Sequence, residues 1–143
     1  MANQEFLNEL NFQRNSIQLR DVELLEIKFT NIGIDEYKDL PFQLNRHAEI
    51  EEKHVNIYLI AIIGDEEKSG FNMEVKYKGE VYSVEDEMGM EELKNYALQH
   101  VIPMLLPYVR EVSSSIINRT DLPYFMLPTL DVINYLKSIR ENE

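Results

Sequence analysis

The hydrophobic pattern of the chain changes its period once, from two residues in the first half to three or four in the second. Four strand-like runs lie between residues 17 and 84. In three of them apolar and polar positions alternate, as in strands whose side chains point to opposite faces in turn, and one is apolar on both faces. Between residues 93 and 116, apolar positions recur as on one face of a helix. Because no helical pattern separates the four runs, antiparallel pairing is favoured over parallel pairing, which needs longer crossovers.

The four runs predict four different strands. Ile17–Phe29 changes phase along its length, which predicts either a β-bulge or a strand whose two faces are buried in different places. Phe42–Ile50 alternates as a half-buried strand, and Val55–Ile63 is apolar on both faces, as suits a central strand. Phe71–Tyr77 is the clearest strand, and we expect Gly79 to end it or to bulge it.

The helical half is apolar on two sides and contains two prolines. Pro103 and Pro107 lie inside the pattern, where a proline costs about 3 kcal/mol. We therefore expect a break before Pro103 and a kink near Pro107. A helix with two apolar faces is buried on two sides, and in a chain this small we expect the second side to meet another subunit. A further short helix is predicted to begin at Thr129 and to end at Ile139.

Composition limits the classes of function. The chain has 143 residues, of which 44% are hydrophobic and 28% charged, which predicts a single domain over residues 1–143. A formal net charge of −12 disfavours nucleic acids and anionic membrane surfaces and attracts basic polypeptides. The chain has no cysteine, no secretory signal pattern and no apolar run long enough to span a bilayer. We therefore expect a cytoplasmic protein without membrane insertion.

The sequence shows no catalytic or metal-binding constellation. His47, His54 and His100 lack the spacing of metal ligands. The segment from Gly64 to Ser69 lacks the glycine that precedes the lysine in a phosphate-binding loop, so we interpret it as a hairpin turn. We expect no enzyme activity, no cofactor and no metal ion.

One stretch of the sequence is specific. Residues 106–128 read LPYVREVSSSIINRTDLPYFMLP, which joins a proline-containing helical pattern to an aromatic segment bounded by prolines. This stretch resembles the long helix and following loop of the SecB family of export chaperones. The resemblance extends over roughly Ser16 to Leu136. Weaker matches lie in the strands and near the C-terminus, at Ile17–Leu19, Phe71–Val75, Gly79 and Asn134–Leu136.

The resemblance implies an α+β, SecB-like fold, with a four-stranded antiparallel sheet packed on a long kinked helix plus a short C-terminal helix. It implies a divergent member of the family, of the Gram-positive type, that binds unfolded or partly folded polypeptides without ATP, in preprotein export or a related holding role. It also implies a homodimer or homotetramer. Two alternatives stay open: an adaptor dedicated to one partner such as an antitoxin, and a small-ligand carrier or enzyme on a similar scaffold.

The resemblance also assigns residues to three surfaces. Clients would lie in a groove between the loop after the first strand and the last helix, lined by Tyr37, Leu40, Phe42, Phe125, Met126, Leu130, Ile133 and Leu136. Aromatic and methionine side chains suit such a groove because they are large and adaptable. The oligomer interface would contain Ile17, Leu19, Val22, Leu24, Ile102 and Leu106. An acidic patch for the translocase motor SecA would include Glu26 and Glu74, whereas Thr30 and Asn72 depart from the family's pattern there.

Overall fold

The computed structural model describes residues 17–84 and 88–131, which form one antiparallel sheet and one long helix. The strands lie in the spatial order β1-β4-β3-β2, and their bounds are β1 (Ile17–Asn31), β2 (Phe42–Ile50), β3 (Val55–Ile63) and β4 (Phe71–Ser83). The helix α1 (Met90–Ile117) packs against β2, β3 and β4. The predicted α+β arrangement and the central position of β3 are confirmed. The predicted C-terminal helix lies beyond Asp131 except for its first residues, outside the described part of the chain.

Two bulges in β1 explain the phase changes of its sequence. The first lies between Arg20 and Glu23, and the second lies between Leu24 and Glu26. At each of them β1 has one more residue than β4 has opposite it. An extra residue turns the following side chains to the other face of a strand. The first bulge therefore moves the apolar positions of β1 from odd to even residue numbers, and the second moves them back to odd residue numbers. This is the change of phase that the sequence shows.

Gly79 lies inside β4, opposite the first bulge, and does not end the strand. A β-carbon at this position would lie 2.8 Å from Cδ1 of Leu19 and 3.3 Å from Cδ2 of Leu105. A glycine is therefore needed where β1 and α1 both approach β4. The expectation that Gly79 ends or bulges β4 is wrong, because the extra residue belongs to β1, where Asp21 has a φ of +52°.

The core lies between α1 and one face of the sheet, which we call the inner face. Alternate residues of β3 and β4 are buried there, as is a stripe on α1 formed by Leu93, Ala97, Val101, Leu105, Val109, Ser113 and Ile117. At one end of the core the ring of Phe71 is fully buried. Its centroid lies 6.0 Å from Phe29, 6.1 Å from Tyr37 and 5.9 Å from Phe125. These rings join segments that are far apart in the sequence.

The helix α1 continues through both of its prolines, so the predicted break before Pro103 is wrong. Gln99, Pro103 and Pro107 are spaced four residues apart and are all exposed. A proline leaves the carbonyl four residues before it without a helical partner, and here both of those carbonyls lie on the side of the helix that water reaches. The buried stripe is on the opposite side and is uninterrupted. In the part of the chain that the structure describes, no helix is long and apolar enough to cross a membrane.

The tight approach at Gly79 can be tested by overpacking. Gly79→Ala is expected to destabilise the protein by about 1–3 kcal/mol, the usual cost of extra volume in a close-packed site. Leu19→Ala removes the atom that the new methyl group would meet at 2.8 Å. The double variant should therefore lose less stability than the two single variants added together. Denaturant unfolding of the four proteins measures this difference, and additive losses would contradict the proposed contact.

Candidate functional site

The loop between β1 and β2 is held against the turn between β3 and β4. The N–H groups of Ile32 and Gly33 both donate to the carbonyl of Gly70, at 2.8 and 2.9 Å. Further along the loop, the hydroxyl of Ser69 donates to the carbonyl of Asp39 at 2.6 Å. The two ends of the loop are therefore fixed to the same turn. The β1–β2 loop therefore forms one fixed wall of the candidate site.

Tyr37 connects this loop to the segment that follows α1. Its hydroxyl donates to the carbonyl of Pro123, and its ring packs edge-on against Phe71. Burial raises the pKa of the Tyr37 hydroxyl above its ordinary value. Tyr37 thus holds two walls together, which limits its own freedom to contact a ligand.

Residues 121–128, which we call the anchored segment, are fixed by side chains of α1 and its C-terminus. The side-chain amide of Asn118 donates to the carbonyl of Phe125 and accepts from its N–H group, each at 2.9 Å. Nε of Arg110 donates to the carbonyl of Leu127 at 2.9 Å. The anchored segment is not part of a helix or strand, so these bonds satisfy backbone groups that regular structure does not pair.

The anchored segment buries some of its apolar side chains and exposes others. Leu122, Phe125 and Leu127 are buried in the core. Tyr124 is 73% exposed and Met126 is 47% exposed, although both are large apolar residues. Because their neighbours are buried and hydrogen-bonded, Tyr124 and Met126 are held outside the core by the fold.

A cleft of about 650 Å³ lies between the β1–β2 loop and the start of the anchored segment, lined by Asn31, Ile32, Gly33, Ile34, Asp35, Asp121 and Leu122. Ile32 is 57% exposed, and the exposed carboxylates of Asp35 and Asp121 also line this cleft. A smaller cleft of about 240 Å³ lies between α1 and the residues that follow the anchored segment, beside Leu130. Both clefts are open to solvent and combine apolar with charged groups.

The eight residues predicted to line a client groove fall into separate groups. Four of them are half-buried, namely Tyr37, Leu40, Phe42 and Leu130. Met126 is exposed, whereas Phe125 is 3% exposed and belongs to the core. Ile133 and Leu136 lie outside the described residues. Phe125 therefore anchors its segment and does not offer a surface in this structure, and client contact by the other residues stays a prediction.

Sequence reasoning missed Tyr124 and Ile32. Tyr124 precedes Phe125 directly, and no periodicity distinguishes the two aromatic residues. The hydrogen bonds between Asn118 and the backbone of Phe125 decide which ring turns inward. No local signal in the sequence could have made that choice.

Glu26 and Glu74, predicted as part of an acidic patch, lie on the face of the sheet turned away from α1, which we call the outer face. The ammonium group of Lys28 lies 3.1 Å from the carboxylate of Glu26 and 4.0 Å from that of Glu74. The hydrogen bond to Glu26, followed by the charges of both carboxylates, raises the pKa of Lys28. Thr30 and Asn72 face each other beside this group. The two carboxylates share one cation, which reduces the negative potential of the patch.

The six residues predicted for an oligomer interface lie on β1 and α1. Leu24 is 41% exposed. Those that are half-buried are Ile17, Leu19, Val22 and Ile102. Leu106 is 2% exposed and packs inside the monomer, contrary to the expected outward-facing second side of the helix. Because β1 ends the sheet, one edge of its backbone has no strand partner among the described residues.

A polar cluster lies at the other end of the outer face. The hydroxyl of Tyr82 donates to the carboxylate of Glu80 at 2.9 Å, which lowers the pKa of that carboxyl group. His54 stacks on Tyr82 at 5.0 Å and lies 3.6 Å from Glu80. Within residues 17–84 and 88–131, no three His, Asp or Glu side chains are placed to hold a metal ion. The cluster connects the turn between β2 and β3 to β4.

Comparison with solved structures identifies the fold. No family model and no curated protein matches the chain. Among solved structures, the chain is similar to a SecB-like chaperone of Mycobacterium tuberculosis in complex with a peptide from an antitoxin, with a TM-score of 0.58 and 20% identity over 80% of this chain and 91% of that chain. The chain has a SecB-like fold. It is also similar to a protein of unknown function from Streptococcus agalactiae, with a TM-score of 0.45 and 11% identity over 79% and 97% of the two chains.

The anchoring of residues 121–128 can be tested at Asn118. Asn118→Ala removes both hydrogen bonds to Phe125, and leaving such backbone groups unpaired costs about 1–3 kcal/mol. We expect faster hydrogen exchange at the Phe125 amide and a lower melting temperature. Asn95→Ala, at an exposed position of α1, serves as the control. Unchanged exchange at Phe125 would show that the segment is held by its buried side chains alone.

Proposed function

We propose that this protein binds unfolded or partly folded polypeptide segments in the cytoplasm and holds them without ATP. The observation that carries the proposal is the anchored segment, where Tyr124 and Met126 are exposed on a backbone held by Asn118 and Arg110. A rigid aromatic side chain loses little conformational entropy when it is covered. A methionine adapts its shape to many apolar partners. Together they suit the binding of varied apolar sequences.

The cleft beside the anchored segment supports the same function. Ile32 adds exposed apolar surface on the opposite wall. Exposed apolar surface bordered by polar residues is typical of sites that bind other proteins. Asp35 and Asp121, together with the net charge of −12, favour client segments that carry basic residues, through steering and charge complementarity.

A narrower function is a second candidate. The Mycobacterium tuberculosis chaperone of similar fold was solved with a peptide from an antitoxin. By analogy, this protein would be an adaptor dedicated to one partner. A general chaperone and an adaptor would use the same anchored segment, and they differ in how many unrelated sequences compete for it.

A more specific proposal is that the protein holds preproteins for export through SecA. In this form SecA would contact Glu26 and Glu74 on the outer face. Both carboxylates already interact with Lys28, so a basic partner would have to displace that ammonium group.

We further propose that the protein assembles as a homodimer or homotetramer through β1 and α1. The strand β1 is 15 residues long and lies at the end of the sheet. Leu24 and Leu25 are each 41% exposed on it, and Tyr108 is 40% exposed on α1. A long edge strand with exposed apolar side chains is a ready template for pairing with another chain. A second copy would cover both elements.

Client binding can be tested with Tyr124→Ala combined with Met126→Ala. We expect the double variant to protect a chemically unfolded model protein from aggregation much less well than the unchanged protein, without nucleotide in either case. Truncating one well-packed aromatic anchor commonly costs about 2 kcal/mol or more in binding. Both residues are exposed, so the fold should remain intact. Light scattering reports protection, and native mass is recorded on the same samples.

The matched control is Ile50→Ala, at a 38% exposed apolar position on β2. Equal protection by the double variant and this control would contradict the proposed site. Phe125→Ala is unsuitable as a probe because Phe125 is part of the core. Competition by unrelated unfolded proteins then separates the two candidate functions. A general chaperone releases its client to any of them, whereas an adaptor releases it to none.

Assembly can be tested by placing charge on the edge of the sheet. Leu24→Glu combined with Leu25→Glu is expected to convert the oligomer to a monomer, because carboxylates on an edge strand oppose pairing. Ile50→Glu makes a similar change on β2, the other edge strand, and should leave the native mass unchanged. An oligomer that persists in the β1 variant would place the interface elsewhere.

A further inference from the structure

The central strand β3 carries an apolar stripe on the outer face of the sheet. Its inner residues Val55, Ile57, Leu59, Ala61 and Ile63 are buried under α1. The residues between them turn outward because side chains alternate along a strand. Tyr58 and Ile60 are half-buried, and Ile62 is 42% exposed. We call Tyr58, Ile60 and Ile62 the outer stripe.

The outer stripe differs from the rest of the outer face. The outward positions of β1, β2 and β4 carry charged, amide, hydroxyl or imidazole groups. This is the expected pattern for an antiparallel sheet with one face in water. Only β3 has aliphatic side chains there, although nothing among the described residues packs on them as α1 packs on the inner face. Such a stripe is typical of a surface that another molecule covers.

The residues directly beside the outer stripe make it locally basic. Register places Lys78, Lys76 and Glu74 beside it on β4, and His47, Asn45 and Gln43 beside it on β2. These neighbours have two ammonium groups and one carboxylate in a chain with 26 acidic and 14 basic residues. The direct neighbours of the stripe therefore contain more ammonium groups than carboxylates, unlike the chain as a whole.

The two lysines of this border are available to an added carboxylate. The ammonium group of Lys76 lies 5.5 Å from the centroid of the Tyr58 ring. Glu26 and Glu23 stand opposite Lys76 and Lys78 on β1. No ion pair within 4.0 Å joins either lysine to a carboxylate of the described residues. Glu26 instead approaches Lys28 at 3.1 Å.

We propose that the outer stripe is a docking surface for a short amphipathic helix of a partner protein, with apolar side chains on one face and carboxylates beside them. A helix suits the face of a sheet because its own backbone is already hydrogen-bonded, whereas an added strand would pair at an edge. From Tyr58 to Ile62 the strand rises about 13 Å, which matches roughly two to three helical turns. Lys76 and Lys78 bind the carboxylates, and the stripe binds the apolar face.

This surface lies on the opposite side of the sheet from α1. The client site proposed above is built from the anchored segment and the β1–β2 loop. A partner on the outer stripe would therefore leave Tyr124 and Met126 uncovered. The protein could hold a client and this second partner at the same time.

The probe is a synthetic helical peptide of about 14 residues, or four turns, with leucines at positions i, i+3, i+4 and i+7 and glutamates beside them. Its counterpart carries lysines in place of the glutamates. Backbone amide shifts of the full chain locate the bound peptide, and a titration gives the affinity. We expect shifts at Tyr58, Ile60 and Ile62. The lysine peptide should bind at least about tenfold more weakly, equivalent to 1.4 kcal/mol.

Two variants and a matched control sharpen the test. Ile62→Ser and Lys76→Glu should each weaken binding of the glutamate peptide by about tenfold or more. Lys94→Glu makes the same change of charge on α1, away from the outer face, and should leave the affinity unchanged. Thermal unfolding of each variant checks that the fold is intact, and protection of an unfolded client should be unaffected in all three.

Several results would overturn the proposal. Shifts confined to residues 121–128 would mean that the peptide binds as an ordinary client. Equal binding of the lysine peptide, or an unchanged affinity of Lys76→Glu, would show that charge complementarity does not contribute to binding. An unchanged affinity of Ile62→Ser would show that the outer stripe does not bind the peptide. A lower native mass of Ile62→Ser would show that a second copy of this chain covers the outer stripe.

Discussion

The burial of Phe71 is the interaction on which the rest of the structure depends. Its ring meets Phe29 of β1, Tyr37 of the β1–β2 loop and Phe125 of the anchored segment. A buried phenylalanine commonly contributes about 3–5 kcal/mol when measured by truncation to alanine. Gly64 is part of the same arrangement, since a β-carbon there would lie 2.6 Å from the carbonyl oxygen of Phe71. Both walls of the candidate site are therefore joined through one ring.

In this arrangement the residues that fix the candidate site are buried, and different residues are exposed to solvent. Phe125 is buried and has both its backbone groups bonded to Asn118, which fixes the position of its neighbours. Tyr124 and Met126 then remain exposed on a backbone that is hydrogen-bonded to Asn118 and Arg110. Exposed apolar side chains on a well-fixed segment are costly for a protein that works alone. They are understandable in a protein whose function is to bind other chains.

Charge is distributed unevenly over the fold. The chain as a whole is strongly acidic, and Asp35 and Asp121 line the larger cleft. The outer face differs, because Lys28 lies between Glu26 and Glu74 and two more lysines border the apolar residues of β3. The larger cleft is therefore lined by carboxylates, whereas the direct neighbours of the outer stripe contain more ammonium groups than carboxylates. A net charge read from composition could not have distinguished them.

The sequence by itself determined the positions of the strands, favoured their antiparallel pairing and showed a change of phase in β1, because these follow from the period of apolar residues along a local segment. That the change of phase is due to bulges was decided by the pairing with β4. The sequence also carried the resemblance from which the SecB-like fold was expected. Tertiary structure alone decided that α1 continues through Pro103, that Tyr124 faces solvent while Phe125 is buried, and that Lys28 lies between the two residues of the predicted acidic pair. Each of these outcomes depends on how parts of the fold come together. The helix tolerates its prolines because they lie on its solvent-facing side, the side-chain amide of Asn118 fixes Phe125, and Lys28 meets Glu74 on a neighbouring strand. Periodicity contains no information about such contacts, which is why they had to be read from the folded chain.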